Sequence, residues 1–368
     1  MKKNVWQNKI INKYIAINFI KVFLYMILAF SAIIFLITLM EKIKGSNIPI
    51  QILSLNIIYD LPMYFSTLLP FSILLSTMVV MWKLEKTSEL TVIRGAGISA
   101  WQFIFPIILV ATFLGILYTT TISPISTYFQ KQNKELERTY KIASDDLNLV
   151  FTQHGLWLKE SSDYVESFVY AEEIKQIENY LNVKNMTIFQ INANGRFSKR
   201  IEASSGFIKD NIIEMSDVSI ITPKEKIQEF ETVAYPTSLS PKKITDNFAL
   251  PESVSFWELP SMISFFNKNG FPAREYKMVY YKLLFLPIFL ISMVMFGSIF
   301  TLSTNVRSAK NFAKIISGIG LGFFVYFIDQ VFTAFGKTGT LPTGIAALSV
   351  PFIVIMISVF SLLMTEDG

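Results

Sequence analysis

Chemistry-capable residues gather in a polar island between two long apolar runs, Lys83-Leu-Glu85-Lys-Thr-Ser-Glu89-Leu-Thr-Val-Ile-Arg94-Gly95-Ala-Gly97-Ile-Ser-Ala100. Thr87 or Ser88 is placed to cap a short helix, and Glu89 then sits in its first turn, where the helix dipole favours a carboxylate. Gly95 and Gly97 supply the residue type that ends a helix in a left-handed conformation. Ser99-Ala-Trp-Gln102 reads as a capping box opening the next helix. Many charged loops between membrane spans are only solvated connectors. A short helix with Glu85, Glu89 and Arg94 around it, tucked between two spans, is instead suited to receive a push from a soluble partner.

A second set of candidates is cationic. Lys42 and Lys44 end the first apolar run, Lys131 and Lys134 follow the third, and Arg274, Lys277 and Lys282 enter the fourth. Each is readable as ordinary snorkelling, in which the stem lies on apolar surface and the head stays in water. Together they are able to ring a cavity mouth and donate charge-assisted hydrogen bonds to phosphate groups. Asp329 and Gln330 lie inside the fifth apolar run, and an ionisable group there ordinarily faces a cavity or a partner helix. Catalytic constellations fail on inspection. Gly336-Lys337-Thr338 lacks the glycine that a phosphate-binding loop needs six positions before its lysine, because Val331 stands there. Gly318-Ile-Gly320-Leu-Gly322 follows no strand and reads as close helix packing. His154 is the lone histidine and there is no cysteine, which leaves no zinc set, no disulfide and no nucleophile–histidine pair. The chain reads as non-enzymatic, with no cofactor and no metal.

These residues must be positioned by a membrane protein. Of 368 residues, 52% are hydrophobic and 14% aromatic, while only 17% are charged. Apolar runs of the roughly 20 residues a spanning helix needs lie near 22–40, 52–82, 101–122, 278–302, 315–335 and 344–364. Residues 1–21 alternate lysines with apolar residues and predict an amphipathic, interface-lying lead-in. Pro62 and Pro70 permit kinks in the second span, and Pro124 is expected to end the third. From about 124 to 277 the pattern becomes polar and strand-like, as in Phe168–Ala171, Met186–Ile191 and Arg196–Glu202, with Asn192–Gly195 as a hairpin turn. Shorter strands are expected at 211–216, 218–221 and 227–233, then a helix near 257–267. So long a stretch is a domain, since structureless connections beyond about 15 residues are uncommon. The expected fold is an α-helical polytopic membrane protein with six spans and an inserted all-β, jelly-roll-like domain between helices 3 and 4. Its parts are 1–123, 124–277 and 278–368. Lys83, Lys86, Arg94, Arg307, Lys310, Lys314 and the basic N-terminus fall on one side, which the positive-inside rule makes cytoplasmic for both termini. The net charge of +5 carries no aromatic-interleaved basic patch, so nucleic acid is not expected.

Glu89-Leu-x-x-x-Arg-Gly-Ala-Gly-Ile-Ser99 resembles the signature loop of the permease subunits of the lipopolysaccharide-export ABC transporter, the Lpt (LptF/LptG) family. The resemblance extends to Lys13-Tyr-Ile15 (with Lys where Arg is common), the Leu61-Pro62 and Leu69-Pro70 spacing, Gln153–Lys159 with Phe168–Tyr170, and Phe327–Phe332 followed by Leu341-Pro342. That last stretch is more similar to the G-type permease than to its F-type paralogue. The resemblance implies that the 83–100 loop holds a coupling helix docking on a cytoplasmic ABC ATPase dimer (LptB-like). It further implies a paralogous permease (LptF-like), a single-span periplasmic bridge protein (LptC-like) and lipopolysaccharide as the ligand of the outer cations, all at the bacterial inner membrane. A lipoprotein-release-type ABC subunit and a membrane sensor with an external β domain remain as other readings. The first usually has fewer spans, and no effector segment supports the second.

Overall fold

The structure is a computed structural model that describes residues 3–44, 48–140, 148–152, 155–161, 165–177, 180–192, 196–209, 211–223, 226–237, 250–302 and 310–366. His154, Arg307, the turn residues 45–47 and the tip 193–195 lie outside the described residues, as do the side chains of Lys310 and Lys314. The helices are α1 (Lys3–Ile43), α2 (Ile50–Lys86), α3 (Glu89–Gly95), α4 (Ala100–Leu117), α5 (Ser123–Tyr140), α6 (Leu259–Lys268), α7 (Arg274–Leu302), α8 (Lys310–Thr338) and α9 (Thr343–Glu366). Six helical stretches are long and apolar enough to cross a membrane, those of α1, α2, α4 with α5, α7, α8 and α9. The chain divides into two compact units, one of residues 1–142, 251–260 and 274–368, the other of residues 143–250 and 261–273.

In the helical unit, stripes at helical spacing meet in one core. Ile15, Phe19 and Phe23 come from α1, Leu74, Met78 and Met81 from α2, and Phe103, Ile104, Ile107 and Ala111 from α4, all buried. Leu290, Met293 and Val294 of α7 complete it. The lead-in and first span are not separate, because α1 runs through as one helix. Glycines permit the closest approaches. A Cβ on Gly115 would stand 2.8 Å from the Pro287 Cα, and one on Gly318 2.7 Å from the Met78 Cε. Gly322 likewise packs on Leu74, whereas Gly320 faces open space. Close packing therefore explains two of the three glycines of that run.

Pro124 does not end the third span. The helix passes through a π-turn at Tyr118–Ile122 and continues as α5. Proline removes the bond to the carbonyl four residues back, which here belongs to Thr120. The Trp257 indole donates to that carbonyl at 3.2 Å, and the Phe256 amide donates to the Ser123 hydroxyl at 3.1 Å. The segment around Phe256 thus supplies what the proline withdrew, and the helix survives.

The β unit is a sheet of β1 (Asn148–Thr152), β2 (Gly155–Ser161), β3 (Val165–Ile177), β4 (Tyr180–Asn192), β5 (Phe197–Lys209), β6 (Ile212–Ile221) and β7 (Gln228–Pro236), antiparallel and in sequence order. The inserted all-β domain is therefore present as a meander. Its central strands are longer than expected, and the two strands expected at 211–216 and 218–221 are one. Every ladder from β3 to β7 skips the same cross-strand row, Glu172, Asn185, Ser204, Asp217 and Glu231. Asn185 and Asp217 have positive φ there, 48° and 53°. The burial alternation slips by one at this row. In β4 the buried positions are Leu181 and Val183, then Met186, Ile188 and Gln190. One extra residue per strand creases the sheet while keeping one face inward on both sides. A slip in period-2 alternation reads in sequence as a strand end, which is why β6 looked like two pieces.

Candidate functional site

The polar island folds as a compact turn of helix. Leu90 and Ile93, three apart, are buried under α3, and Leu90 joins the main core. The opposite face carries exposed Thr91, Val92, Arg94, Gly95 and Ala96, with Val92 72% exposed. Glu89 is half-buried at the first turn. Its C-terminus closes as a Schellman motif, the Gly97 amide donating to the Arg94 carbonyl at 2.9 Å and the Ile98 amide to the Ile93 carbonyl at 3.4 Å. Gly97, at φ +80°, is the left-handed residue, while Gly95 is the last helical one. The N-terminal cap differs from expectation. Ser88 occupies the cap position at φ 61° without a side-chain bond. The Thr87 hydroxyl instead turns back to the Lys83 carbonyl and meets the Glu89 carboxylate at 2.9 Å. Ser99 holds the cap position of α4, but its hydroxyl makes no capping bond, so the expected capping box does not form. Beside α3 a groove of about 320 Å³ is lined by Ile11, Asn12, Ile98, Trp101, Gln102 and Phe105. Two buried neighbours hold an apolar residue outward on this turn.

At the other end of α2 the cations separate. Lys42 is half-buried, bonded to the Asn56 amide oxygen and 3.6 Å from Asp60. Asn56, fully buried, donates to Asn133 Oδ1 at 2.7 Å and to Glu137 Oε1 at 3.1 Å, and Asn133 donates to Asp60 Oδ1 at 2.8 Å. This seam joins the ends of α1 and α2 to α5. Lys44, Lys131 and Lys134 are exposed. Arg274 lies in the first turn of α7 and donates to the Thr338 carbonyl at 3.1 Å, packing its guanidinium over Gly339 at the end of α8. That placement suits a cation at a helix C-terminus. Lys277 is half-buried on α7. The cations expected to form one ring therefore differ, with Lys42 and Arg274 held by intramolecular partners.

Asp329 is 3% exposed and takes an ion pair from Lys282 at 2.9 Å. Lys282 also donates to the Thr333 hydroxyl at 3.0 Å, and Thr333 donates to the Asp329 carbonyl at 2.7 Å. Gln330 is exposed and shares hydrogen bonding with Tyr326, which also bonds Thr67 of α2. These groups border a cleft of about 180 Å³ whose floor includes Leu286 and Phe289. Nearby, Lys337 pairs with Glu252 at 3.2 Å. Sequence reasoning named Asp329 as an intramembrane group and Lys282 as one of the outer cations, but not their pairing. It also passed over Asn56 and Asp60, although two polar residues four apart within an apolar run place both on one helix face.

Six apolar spans with a short helix turned outward between the second and third, and a β unit inserted between the third and fourth, define the class: a polytopic membrane protein with an inserted β domain. The sequence profile of the family described as "Lipopolysaccharide export system permease LptF/LptG" matches residues 13–364, and the chain belongs to that family. It is 24% identical over 332 residues to "Lipopolysaccharide export system permease protein LptG" of Escherichia coli (strain K12), covering 88% of this chain and 89% of that one. The protein of the same name in Haemophilus influenzae is 23% identical over 315 residues, covering 82% of this chain and 83% of that one.

Proposed function

We propose that the chain is the G-type permease subunit of a lipopolysaccharide-export ABC transporter in the bacterial inner membrane. In this reading it extracts lipopolysaccharide and passes it to a periplasmic bridge, with ATP hydrolysis on a separate ATPase dimer. A paralogous permease and a single-span bridge protein complete the assembly. The α3 end and both termini face the cytoplasm, and the β unit faces the periplasm. The observation that carries the reading is α3 itself. Leu90 and Ile93 anchor it, Gly97 closes it, and Val92, Arg94 and the flank of Glu89 are offered to a partner. Glu85 at the end of α2 and Gly95 at the end of α3 frame the same surface.

The cations Lys42, Lys44, Lys131, Lys134, Arg274 and Lys277 are proposed to meet the anionic head of the lipid, in unequal shares. Lys44, Lys131 and Lys134 are exposed and suited to direct contact, each contributing about 0–1 kcal/mol alone. Lys42 is pre-positioned by the asparagine seam. Reversing Lys42 would set a third carboxylate beside Asp60 and Glu137, so the clean test reverses Lys44, Lys131 and Lys134 together.

The test copurifies the complex and reads two things. Glu89→Lys is expected to lower ATPase capture or uncouple hydrolysis, and mass spectrometry of the intact complex is expected to find lipopolysaccharide. Unchanged capture and lipid-stimulated hydrolysis in Glu89→Lys would remove α3 from the coupling role. A different bound lipid would overturn the substrate. The triple reversal should weaken lipid crosslinking while ATPase capture survives.

A further inference from the structure

Polar links close a ring around four helical elements at one level of the bundle. The Tyr118 hydroxyl, in the π-turn after α4, is hydrogen-bonded to Ser66 of α2. The next residue of α2, Thr67, is bonded to Tyr326 of α8. Asp329 of α8 is paired with Lys282 of α7 at 2.9 Å. The circuit returns through α7, where the Leu283 carbonyl accepts from Thr119 of the π-turn at 2.9 Å. The Lys282–Asp329 pair is the one ionic link in this ring.

The ring lies where α2 and α8 part. Toward the α3 end, Gly318 and Gly322 bring α8 onto Met78 and Leu74 so closely that a methyl group would overlap them. Toward the other end α8 has no further glycine against α2, its Gly336 packing instead on Met278 of α7 and Ala346 of α9, and the cleft bordered by Ser66, Thr67, Leu286, Phe289, Asp329 and Lys337 begins. Asp329 sits two turns past Gly322, about 10 Å along the axis. A small rocking of α8 about its glycine contact therefore moves Asp329 and the residues beyond it away from their neighbours. The carboxylate is 4% exposed and the Lys282 side chain 30%, so the lysine is the member water reaches.

Burying an ion pair costs desolvation, and apolar residues of similar volume often pack as well or better. What the pair adds is a directional tie. We propose that Lys282 and Asp329 are positioning residues forming a latch, which holds the outer half of α8 on α7 and so sets the opening of the cleft between α2 and α8. Thr333 steadies the ammonium from the next turn of α8. The weaker, more exposed Lys337–Glu252 pair sits at the mouth and guards the same opening.

The chain has no cysteine, so one reporter thiol reads the latch without reference to transport. Leu286→Cys places it on the cleft floor, where the native residue is 6% exposed. Ala111→Cys, in the fully buried core of α4, is the control. Full-length chains in lipid nanodiscs are reacted with a small water-soluble methanethiosulfonate. In the Lys282→Met/Asp329→Leu background, labelling at Leu286→Cys is expected to rise about three- to twentyfold, the scale of one interhelical polar contact in a membrane. Labelling at Ala111→Cys and the thermal unfolding midpoint should stay unchanged. An unchanged rate at Leu286→Cys, or an equal rise at both reporters, overturns the latch. Should the double variant not accumulate, Asp329→Asn keeps shape and an acceptor while removing the charge. It should raise labelling at Leu286→Cys by a smaller factor, and no rise there overturns the proposal equally.

Discussion

The α3 turn follows the C-terminus of α2, the polar ring crosses the middle of α2, and the two are built by different means. In α3 nearly everything is local. Its closing bonds join residues three to five apart, and its face is set by Leu90 and Ile93 pointing down and Val92 pointing out. In the ring nothing is local. Lys282 and Asp329 are 47 positions apart, and Thr119 and Leu283 are 164 apart. A surface meant to be met by another molecule is best made by a short segment that holds its shape alone. A tie between helices must draw on residues from different spans, and inside a membrane its unmet half is costly. Damage should therefore stay confined in α3 and spread in the ring.

The largest effect should come from breaking the ring on one side. Asp329→Leu leaves Lys282 without its carboxylate, and removing one partner of a buried pair costs about 3–5 kcal/mol. The purified variant should unfold at markedly lower temperature, and adding Lys282→Met should restore the native midpoint. If the single variant unfolds like the native chain, the pair is not held in a water-poor site and the contrast with α3 fails.

A middle-sized effect sharpens the contrast within one helix. Gly322→Ala pushes a methyl into Leu74, and overpacking of this kind costs about 1–3 kcal/mol. Gly320→Ala meets open space and should be neutral or gain up to about 1 kcal/mol from helix propensity. Equal stabilities would mean that α8 does not pack on α2 through these glycines.

The smallest effects on stability belong to α3. Gly97→Ala forces a side chain into the left-handed region, for about 1–2 kcal/mol felt only in that turn. Val92→Asp should change unfolding by less than about 0.5 kcal/mol, because the side chain is exposed. Capture of the ATPase should nevertheless fall about tenfold, the scale of losing one central apolar contact at an interface. A stability loss from Val92→Asp equal to that of Asp329→Leu would end the distinction between the two regions.

The amino-acid sequence by itself determined the six apolar spans, the inserted β domain and the short helix with its glycine stop. Each of these is written in composition, period or a cap within a few neighbouring residues, and local physics reads them directly. Tertiary structure decided the rest. Pro124 reads as a helix end until Trp257 supplies a donor for Thr120, which lies 137 positions before it. Lys42 reads as a solvated span end until Asn56 and Asp60 take it into a seam with Asn133, 77 positions from Asn56. Strand β6 reads as two strands until its neighbours show that the slip in alternation is shared across the sheet. In each case a polar or irregular residue has its meaning set by a partner distant in the chain. Only packing brings such partners within hydrogen-bond reach, and no local pattern encodes which one arrives.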